Sequence, residues 1–487
     1  MSHAALSVPF ATANGELHPV ARAPGRERWS WALYDFANTI FSMNVASLFF
    51  AVWIVSDLGA PSRTVGYAGA LSSLLIVISI PIFGAISDAR QRRKSWVVGF
   101  TLLTALATIG IGAIGYTMLP AVGDGIAGGS AVAPGWRVGG LALTLLLAAF
   151  VIANYAYQGA LPFYNAMMPE LAPKPELGRL SGLGTALGYV GSIVGVLLVT
   201  CVVSGGIPGV VQLPPGVVDA VRSVLPFTER GGRVSSFVPT ALLLLLFSLP
   251  LFLFCRDHNP VRDSVPVAWK QAFGDLARTV RDARKYPGAT RFIVASFLYQ
   301  DAMGTIIGFM ALYAVEAMGF EKGLETTLFV VLTVPAVIGS YICGILTDRV
   351  GPKRALQWVI GAWIVLLMGM IFAPSRAAFW VVGVGIGLIF GGVATAERPL
   401  LLTLVPDAEA GRFFSLMVLS ARAAAIAGPL IWTSTVDGLT PSLGKGVAYR
   451  LAVVAVAVAM ALALWLLRAV PDRHGQGAPV PAGGAAA

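Results

Sequence analysis

Twelve long apolar runs, set out as two groups of six, constrain this chain more than any other feature of its sequence. The first group lies at about 30–56, 64–87, 96–119, 139–168, 180–203 and 236–255. The second lies at about 290–315, 325–347, 355–374, 377–405, 412–436 and 447–468, after a charged interval. Each run reaches the roughly 20 residues that a helix needs to cross the hydrocarbon core of a bilayer. In lipid the backbone must satisfy its polar groups within the segment, so runs of this kind are helices. Only 12% of the 487 residues are charged while 56% are hydrophobic. So few charges cannot cover a soluble body of this size. Soluble enzyme, nucleic-acid binder, disordered chain and secreted disulfide scaffold are thereby excluded. The pattern predicts an all-α integral membrane protein with twelve transmembrane helices, in contact with lipid and without a nucleic-acid partner.

The basic residues set the orientation. With both termini in the cytoplasm, inside segments hold 24 of the 34 Lys and Arg, outside segments hold 9, and Arg422 falls within a run. That excess obeys the positive-inside rule, which the reverse orientation violates. Residues 1–28 are expected to be a flexible cytoplasmic tail, 29–255 an N-terminal six-helix bundle, 290–470 a C-terminal one, and 471–487 a disordered tail. Between the bundles, within 256–289, Trp269, Phe273, Leu276 and Val280 recur at helical steps among Lys270, Arg278, Arg281, Arg284 and Lys285. This spacing predicts an amphipathic linker helix on the cytoplasmic membrane surface. Arg outnumbers Lys 27 to 7 and no N-x-S/T acceptor occurs. Both suit a bacterial chain in the cytoplasmic membrane.

Metal and cofactor chemistry find no support. His3, His18, His258 and His474 lie in tails or polar loops, and Cys201, Cys255 and Cys343 have no CxxC spacing. Gly110, Gly112 and Gly115 match GxGxxG, yet they lie inside an apolar run with no preceding strand. There is no Walker A sequence. No cofactor, no metal and no catalytic residue is predicted. Glycines at small-xxx-small spacing (Gly184/Gly188, Gly191/Gly195, Gly383/Gly387/Gly391) let helices approach closely. With twelve helices supplying neighbours, they predict packing within one chain, hence a monomer.

The two halves repeat each other. Run 2 ends in Gly84-Ala-Ile-Ser-Asp88, followed by Arg90, Arg92, Arg93 and Lys94. Run 8 ends, 260 residues later, in Gly344-Ile-Leu-Thr-Asp348-Arg349-Val-Gly351-Pro352-Lys353-Arg354. Run 4 closes on Met168-Pro169-Glu170 and then Gly178-Arg179, and run 10 on Val405-Pro406-Asp407 and then Gly411-Arg412. Run 1 carries Tyr34-Asp35 and run 7 carries Tyr299-Gln300-Asp301. Landmarks paired in the same order mean duplication, and repeats in membrane proteins commonly frame a transport site at their interface.

Gly344-x3-Asp348-Arg349-x-Gly351-x-Lys353-Arg354 resembles the loop signature of the major facilitator superfamily, and Gly84-x3-Asp88 resembles a degraded copy with Gln91 where glycine is expected. Trp31-Ala-Leu-Tyr34-Asp35-Phe-Ala-Asn38 resembles the opening of the vacuolar amino-acid effluxer family linked to autophagy, which has bacterial relatives. Phe163-Tyr164-Asn165, Ser181-Gly182-x-Gly184, Gly188-Tyr189, Phe413-Phe414 and Gly428-Pro429 are similar to further motifs of that branch, and the likeness spans roughly 29–468. The resemblance implies a cytoplasmic gate. In it Asp88 meets the start of span 11 near Arg412, and Asp348 meets the start of span 5 near Arg179. An acid at a helix C-terminus is disfavoured by the dipole, so N–H groups at another helix's N-terminus would compensate it.

Polar residues inside the runs are the candidate substrate and proton path. Asp35, Asn38 and Ser42 form one stripe in run 1; Asn154, Tyr157 and Gln158 share a face of run 4; Asp301 and Thr305 share one of run 7. Glu397 in run 10 and Arg422 in run 11 stand at membrane depth. Runs 1, 4, 7 and 10 line the central cavity in the family that the chain resembles. Charges there are costly and tend to be functional. Asp301 and Arg422 are expected to face one cavity and to exchange partners as substrate binds. The predicted function is secondary transport of a small polar metabolite. Amino acids lead on the resemblance, with a proton as the candidate coupling ion. A transport-like membrane sensor and an integral-membrane enzyme are the alternatives.

Overall fold

A computed structural model describes residues 9–11, 17–19, 23–90, 92–118, 140–207, 211–258, 286–320, 325–373 and 375–472. Twelve long helices among them answer to the twelve apolar runs. In the first half, span 1 begins at Gly25–Phe41 and continues through π-helical turns at Ser42–Phe49 and Trp53–Asp57. Spans 2 to 6 are Ser62–Arg90, Lys94–Met118, Gly140–Ala166, Leu177–Ser204 and Phe237–Phe254. In the second half, spans 7 to 12 are Pro287–Met318, Glu325–Val350, Pro352–Ile371, Arg376–Leu404, Ala410–Leu443 and Lys445–Arg468. Ten of the helices are long and apolar enough to cross a membrane. Spans 8 and 11 complete the count at 26 and 34 residues.

The duplication read from the sequence reappears in the packing. Span 1 packs on spans 5 and 6, span 2 on span 4, and span 3 on spans 4 and 6. Span 7 packs on spans 11 and 12, span 8 on span 10, and span 9 on spans 10 and 12, which is the same scheme advanced by six. The halves meet through span 5 against span 8 and span 2 against span 11, again a symmetric pair.

Glycine brings these helices close. A Cβ on Gly191 would lie 2.3 Å from the Phe36 carbonyl oxygen, and Gly195 faces Ile40, so this glycine pair seats span 1. Gly184 and Gly188 also face span 1, at Asp35 and Thr39. Gly391 meets Ser340 and Tyr189, whereas a Cβ on Gly383 would find nothing within 4 Å. In the first half, then, the small-residue spacing serves packing within the chain.

The core is unevenly shared between the halves. One cluster, with Trp31, Tyr164, Leu180, Tyr299, Leu401 and Phe413, draws on both halves near the face that charge assigns to the cytoplasm, and continues through the second half to Trp363, Met370 and Phe379. A second cluster, with Phe41, Phe50, Trp53, Phe150 and Phe237, belongs to the first half alone and lies toward the opposite face. Among the described residues, the second cluster holds no residue of the second half, whereas the first takes in both.

The periodicity of the runs gives no warning of several short elements. A strand pair, Pro9–Ala11 with Leu17–Pro19, lies within the tail expected to be flexible, and span 1 begins ahead of residue 29. Between spans 5 and 6 come a second strand pair, Gly206–Ile207 with Val211–Gln212, and the short helix Pro215–Val224. Most of the expected linker helix, with Trp269 to Val280, lies outside the described residues, as does most of the tail after 470.

Candidate functional site

The polar residues inside the spans gather into three groups. The first crosses between the halves. Arg398 of span 10 pairs with Asp35 of span 1, Nη1 to Oδ2, at 2.9 Å, and both side chains are nearly buried. The guanidinium lies 5.9 Å from the centre of the Tyr164 ring. That ring stacks on Trp31 at 4.4 Å, and the Trp31 indole donates to the Tyr164 carbonyl at 2.9 Å. Successive helical residues point about 100° apart, so Glu397 turns the other way. Its carboxylate accepts from the Tyr299 hydroxyl at 2.9 Å and from the Gln300 amide at 3.0 Å, both in its own half. Neighbouring charges on one helix are thus partnered in opposite halves. Asn38, one turn on from Asp35, is also buried.

The second group lies within the first half. The Asn154 amide donates to Ser72 at 3.0 Å and the Gln158 amide to Asn154 at 3.1 Å. Among the described residues Gln158 Oε1 is buried without a hydrogen-bond partner. The Tyr157 ring lies 5.1 Å from that of Phe41. The third group joins spans 7 and 11. Asp301 Oδ1 accepts the backbone N–H of Gly428 at 2.7 Å, an approach that the missing side chain at 428 permits. Thr305 Oγ1 is buried beside it, with no hydrogen-bond partner among the described residues. The Arg422 side chain lies outside the described residues, and so does its expected meeting with Asp301.

At the basic face the two halves close on each other. Asp348, at the end of span 8, accepts the first N–H groups of span 5, from Gly178 to Oδ1 at 2.7 Å and from Arg179 to Oδ2 at 3.1 Å. The Arg179 guanidinium stands 3.4 Å from the same carboxylate. A helix N-terminus is a ready anion site, which answers the unfavourable dipole at the end of span 8. Gly344 lies against Gly178 and Gly182, Gly351 turns the chain at φ 91° into span 9, and Arg349 is exposed. In the other copy, Gly84 faces Ser415 and the Gly411 carbonyl, and Arg412 stands 3.9 Å from Glu409. The Asp88 side chain is not among those described.

A second cross-half tie centres on Arg93, which is fully buried. It donates to Glu170 at 2.9 Å and, across the halves, to the Asp407 carbonyl at 2.6 Å. Asp257, where the chain leaves span 6, accepts from the backbone N–H groups of Arg93 and Lys94 at the start of span 3. The next residue, His258, touches Glu27 at 2.8 Å through its ring and gives its own N–H to Glu170 at 2.8 Å. Lys174 stands 3.9 Å from Asp407. Burial pushes the carboxyls of Glu170 and Asp407 above their usual range, against the pull of nearby Arg93 and, for Asp407, Lys174. Among the described residues no group of three or more His, Cys, Asp or Glu is placed to hold a metal.

Asp35, Asn38 and Glu397 are among the residues that sequence reasoning singles out, and it misses Arg398, the partner that the fold gives Asp35. Counting basic residues by connection places it with the loop after run 10, although it adjoins Glu397 and stands at equal depth. The same depth argument that marks Arg422 would have marked it. In the sequence Arg93 stands in a basic loop, and no periodicity shows that it is buried.

The sequence model of the Major Facilitator Superfamily matches residues 35–429 and, in a second placement, 292–486. Over 409 residues the chain is 25% identical to YxiO of Bacillus subtilis (strain 168), described as an uncharacterized MFS-type transporter. That match covers 82% of this chain and 86% of the relative. An uncharacterized protein of Aquifex aeolicus (strain VF5) is 23% identical over 337 residues, covering 69% of this chain and 70% of that one. Among solved structures, the fold matches the MFS transporter FucP in its outward conformation, with a TM-score of 0.65 at 16% identity. The match covers 92% of this chain and 98% of that one. It also matches the proton:xylose symporter XylE, with a TM-score of 0.62 at 14% identity over 93% of this chain and 96% of that one.

Proposed function

The chain belongs to the Major Facilitator Superfamily, and we propose that it moves a small metabolite bearing both charges, an amino acid first among candidates, by alternating access. It is a multi-pass membrane transporter and not an enzyme. The observation that carries the substrate reading is the Asp35–Arg398 pair, a buried anion and cation held by opposite halves at the closed end. An amino acid offers a carboxylate to Arg398 and an ammonium to Asp35. Binding would therefore replace the pair with two new ones and free the halves to part. Glu397, held by Tyr299 and Gln300, stays with the second half. The likeness of the opening motif around Tyr34-Asp35 to the amino-acid effluxer branch supports the same substrate class.

The cross-half contacts at the basic face support an outward-facing state in the bacterial cytoplasmic membrane. In this reading Asp348 on Gly178 and Arg179, Gly84 on Gly411, and Arg93 on Asp407 are the cytoplasmic gate. Asp301, bound to the Gly428 N–H, is the candidate proton carrier, since protonation would weaken its hold on span 11. Asn38, Asn154, Tyr157, Gln158 and Thr305 serve the path with it, and Arg422 is proposed to share it.

Counterflow in proteoliposomes with a panel of labelled amino acids tests the substrate class. The expected result is exchange of at least one amino acid, lost in Arg398→Gln. Failure of every amino acid, with a folded protein, refutes it. A pH gradient tests the coupling. Asp301→Asn should retain exchange and lose pH-driven accumulation, and accumulation that persists removes Asp301 from the proton path.

A further inference from the structure

The segment between spans 5 and 6 is larger than a connection requires, and it is built as a roof. Its helix, Pro215–Val224, carries Val217, Val218, Val221 and Val224 at helical spacing, with Asp219, Arg222 and Ser223 between them. Such a pattern suits a helix lying in the membrane interface. Polar bonds fix it in place. Arg222 donates from Nε to the Val202 carbonyl at 2.8 Å and from Nη2 to the Val203 carbonyl at 3.0 Å, at the end of span 5. The Thr228 hydroxyl binds the carbonyls of Leu225 and Arg222, and Ser235 binds the Thr228 carbonyl. The roof is therefore held by hydrogen bonds at its margin rather than by filling the space below.

That space is a cavity of about 300 Å³ between the helix and spans 5 and 6. Its lining includes Leu198, Cys201, Val218, Val221, Leu225 and Leu242, none with a charge. A site so apolar offers water too few partners to hold it. Leu198 and Leu242 belong equally to the outer surface of their spans, where they are 47% and 39% exposed. The cavity is thus continuous with the lipid-facing surface of two membrane helices, at the face opposite the basic loops.

We infer that this cavity is a seat for one acyl chain of a phospholipid in the leaflet opposite the basic loops. Apolar packing distinguishes no tail from a leucine, so the hydrophobic effect does not drive entry from lipid. What favours the seat is dispersion contact from walls on three sides together with the high concentration of tails at its mouth. The size, at the small end of ligand sites, admits part of one chain.

The test uses the full-length protein in phosphatidylethanolamine/phosphatidylglycerol vesicles doped with a phospholipid carrying a diazirine in its acyl chain. Illumination followed by peptide mapping should concentrate crosslinks at Leu198–Cys201, Val218–Leu225 and Leu242. The yield there should be several-fold above that at Val381 and Leu388, which are exposed positions of span 10. Val218→Trp should fill the cavity and bring the signal down to that of span 10. Leu242→Trp does so from span 6 without touching the roof helix, which guards against a variant that unseats it. Loss of the enrichment in either variant, with the protein monodisperse, supports the seat. Crosslinks no richer than at span 10, or enrichment that survives both tryptophans, overturn it.

Discussion

Gly178 and Gly344 meet backbone to backbone across the two halves: a Cβ built on Gly344 would lie 2.7 Å from the Gly178 carbonyl oxygen. The reverse substitution fares no better, since a Cβ on Gly178 would lie 2.5 Å from Asp348 Oδ1. The contact sits inside the proposed gate, so crowding it should penalise closure and leave each half intact.

Gly344→Ala is therefore expected to shift the carrier toward the inward-open state. Ser181 is fully buried at the same contact, so Ser181→Cys, in a background without Cys201, Cys255 and Cys343, reports opening. Labelling by a membrane-impermeant maleimide from the cytoplasmic side should be slow alone and faster with Gly344→Ala. Asp348→Asn should act in the same direction, because a charge-assisted hydrogen bond contributes about 1.5–3 kcal/mol. Unchanged labelling in both variants would remove this contact from the gate.

The Asp35–Arg398 pair separates a structural role from a transport role. Removing one partner leaves a buried charge uncompensated, at a cost of about 3–5 kcal/mol. Asp35→Asn and Arg398→Gln should each lower the melting temperature in detergent. The double variant should recover most of the loss, because no lone charge remains. Transport should stay absent in the double variant if the pair receives substrate. Counterflow restored together with stability would make the pair structural only.

Twelve helices and their pairing into halves were legible in the sequence from periodicity and duplication. The opposition of Asp348 to the start of span 5 was implied only by the family resemblance, because the dipole argument names no partner helix. The Asp35–Arg398 pair was not legible. It joins positions 363 residues apart in sequence, and one strand of letters does not say which face of span 10 looks toward span 1. The burial of Arg93 was hidden for a related reason, since a basic loop reads as solvated until another half covers it. The roof over spans 5 and 6 was too short and too mixed to show as a run.

Cytoplasmic pH should bias the gate through Glu170 and Asp407. Burial raises both carboxyls above their usual range, more than Arg93 lowers them; Asp257 adds to the rise at Glu170, while His258 opposes it. A carboxyl raised in the closed state favours closure fully at pH values below its ordinary range. The contribution is lost as pH rises through the raised value. Closure should thus strengthen as cytoplasmic pH falls through that window. Maleimide labelling of the Ser181→Cys reporter should slow accordingly, and Glu170→Gln should flatten the profile. A profile that is flat in the parent, or unaltered by the substitution, would exclude the desolvated Glu170 carboxyl as its source.

The seat of span 1 on span 5 gives the last prediction. Three atoms of the Phe36 backbone lie within 2.8 Å of a Cβ built on Gly191, and backbone cannot rotate away as a side chain can. Gly191→Ala should push span 1 outward. Overpacking of this kind costs about 1–3 kcal/mol, visible as a lower melting temperature. The displacement has a second consequence that plain destabilisation lacks. Asp35 precedes Phe36, so moving this turn draws its carboxylate away from Arg398. Gly191→Ala should then weaken counterflow more than Gly383→Ala, where a Cβ meets nothing within 4 Å. In a background of Asp35→Asn the Gly191→Ala substitution should still lower stability, but it has no ion pair left to disturb. The two stability losses should therefore sum to more than the double variant shows. Strict additivity would mean that the seat of span 1 and the ion pair act independently.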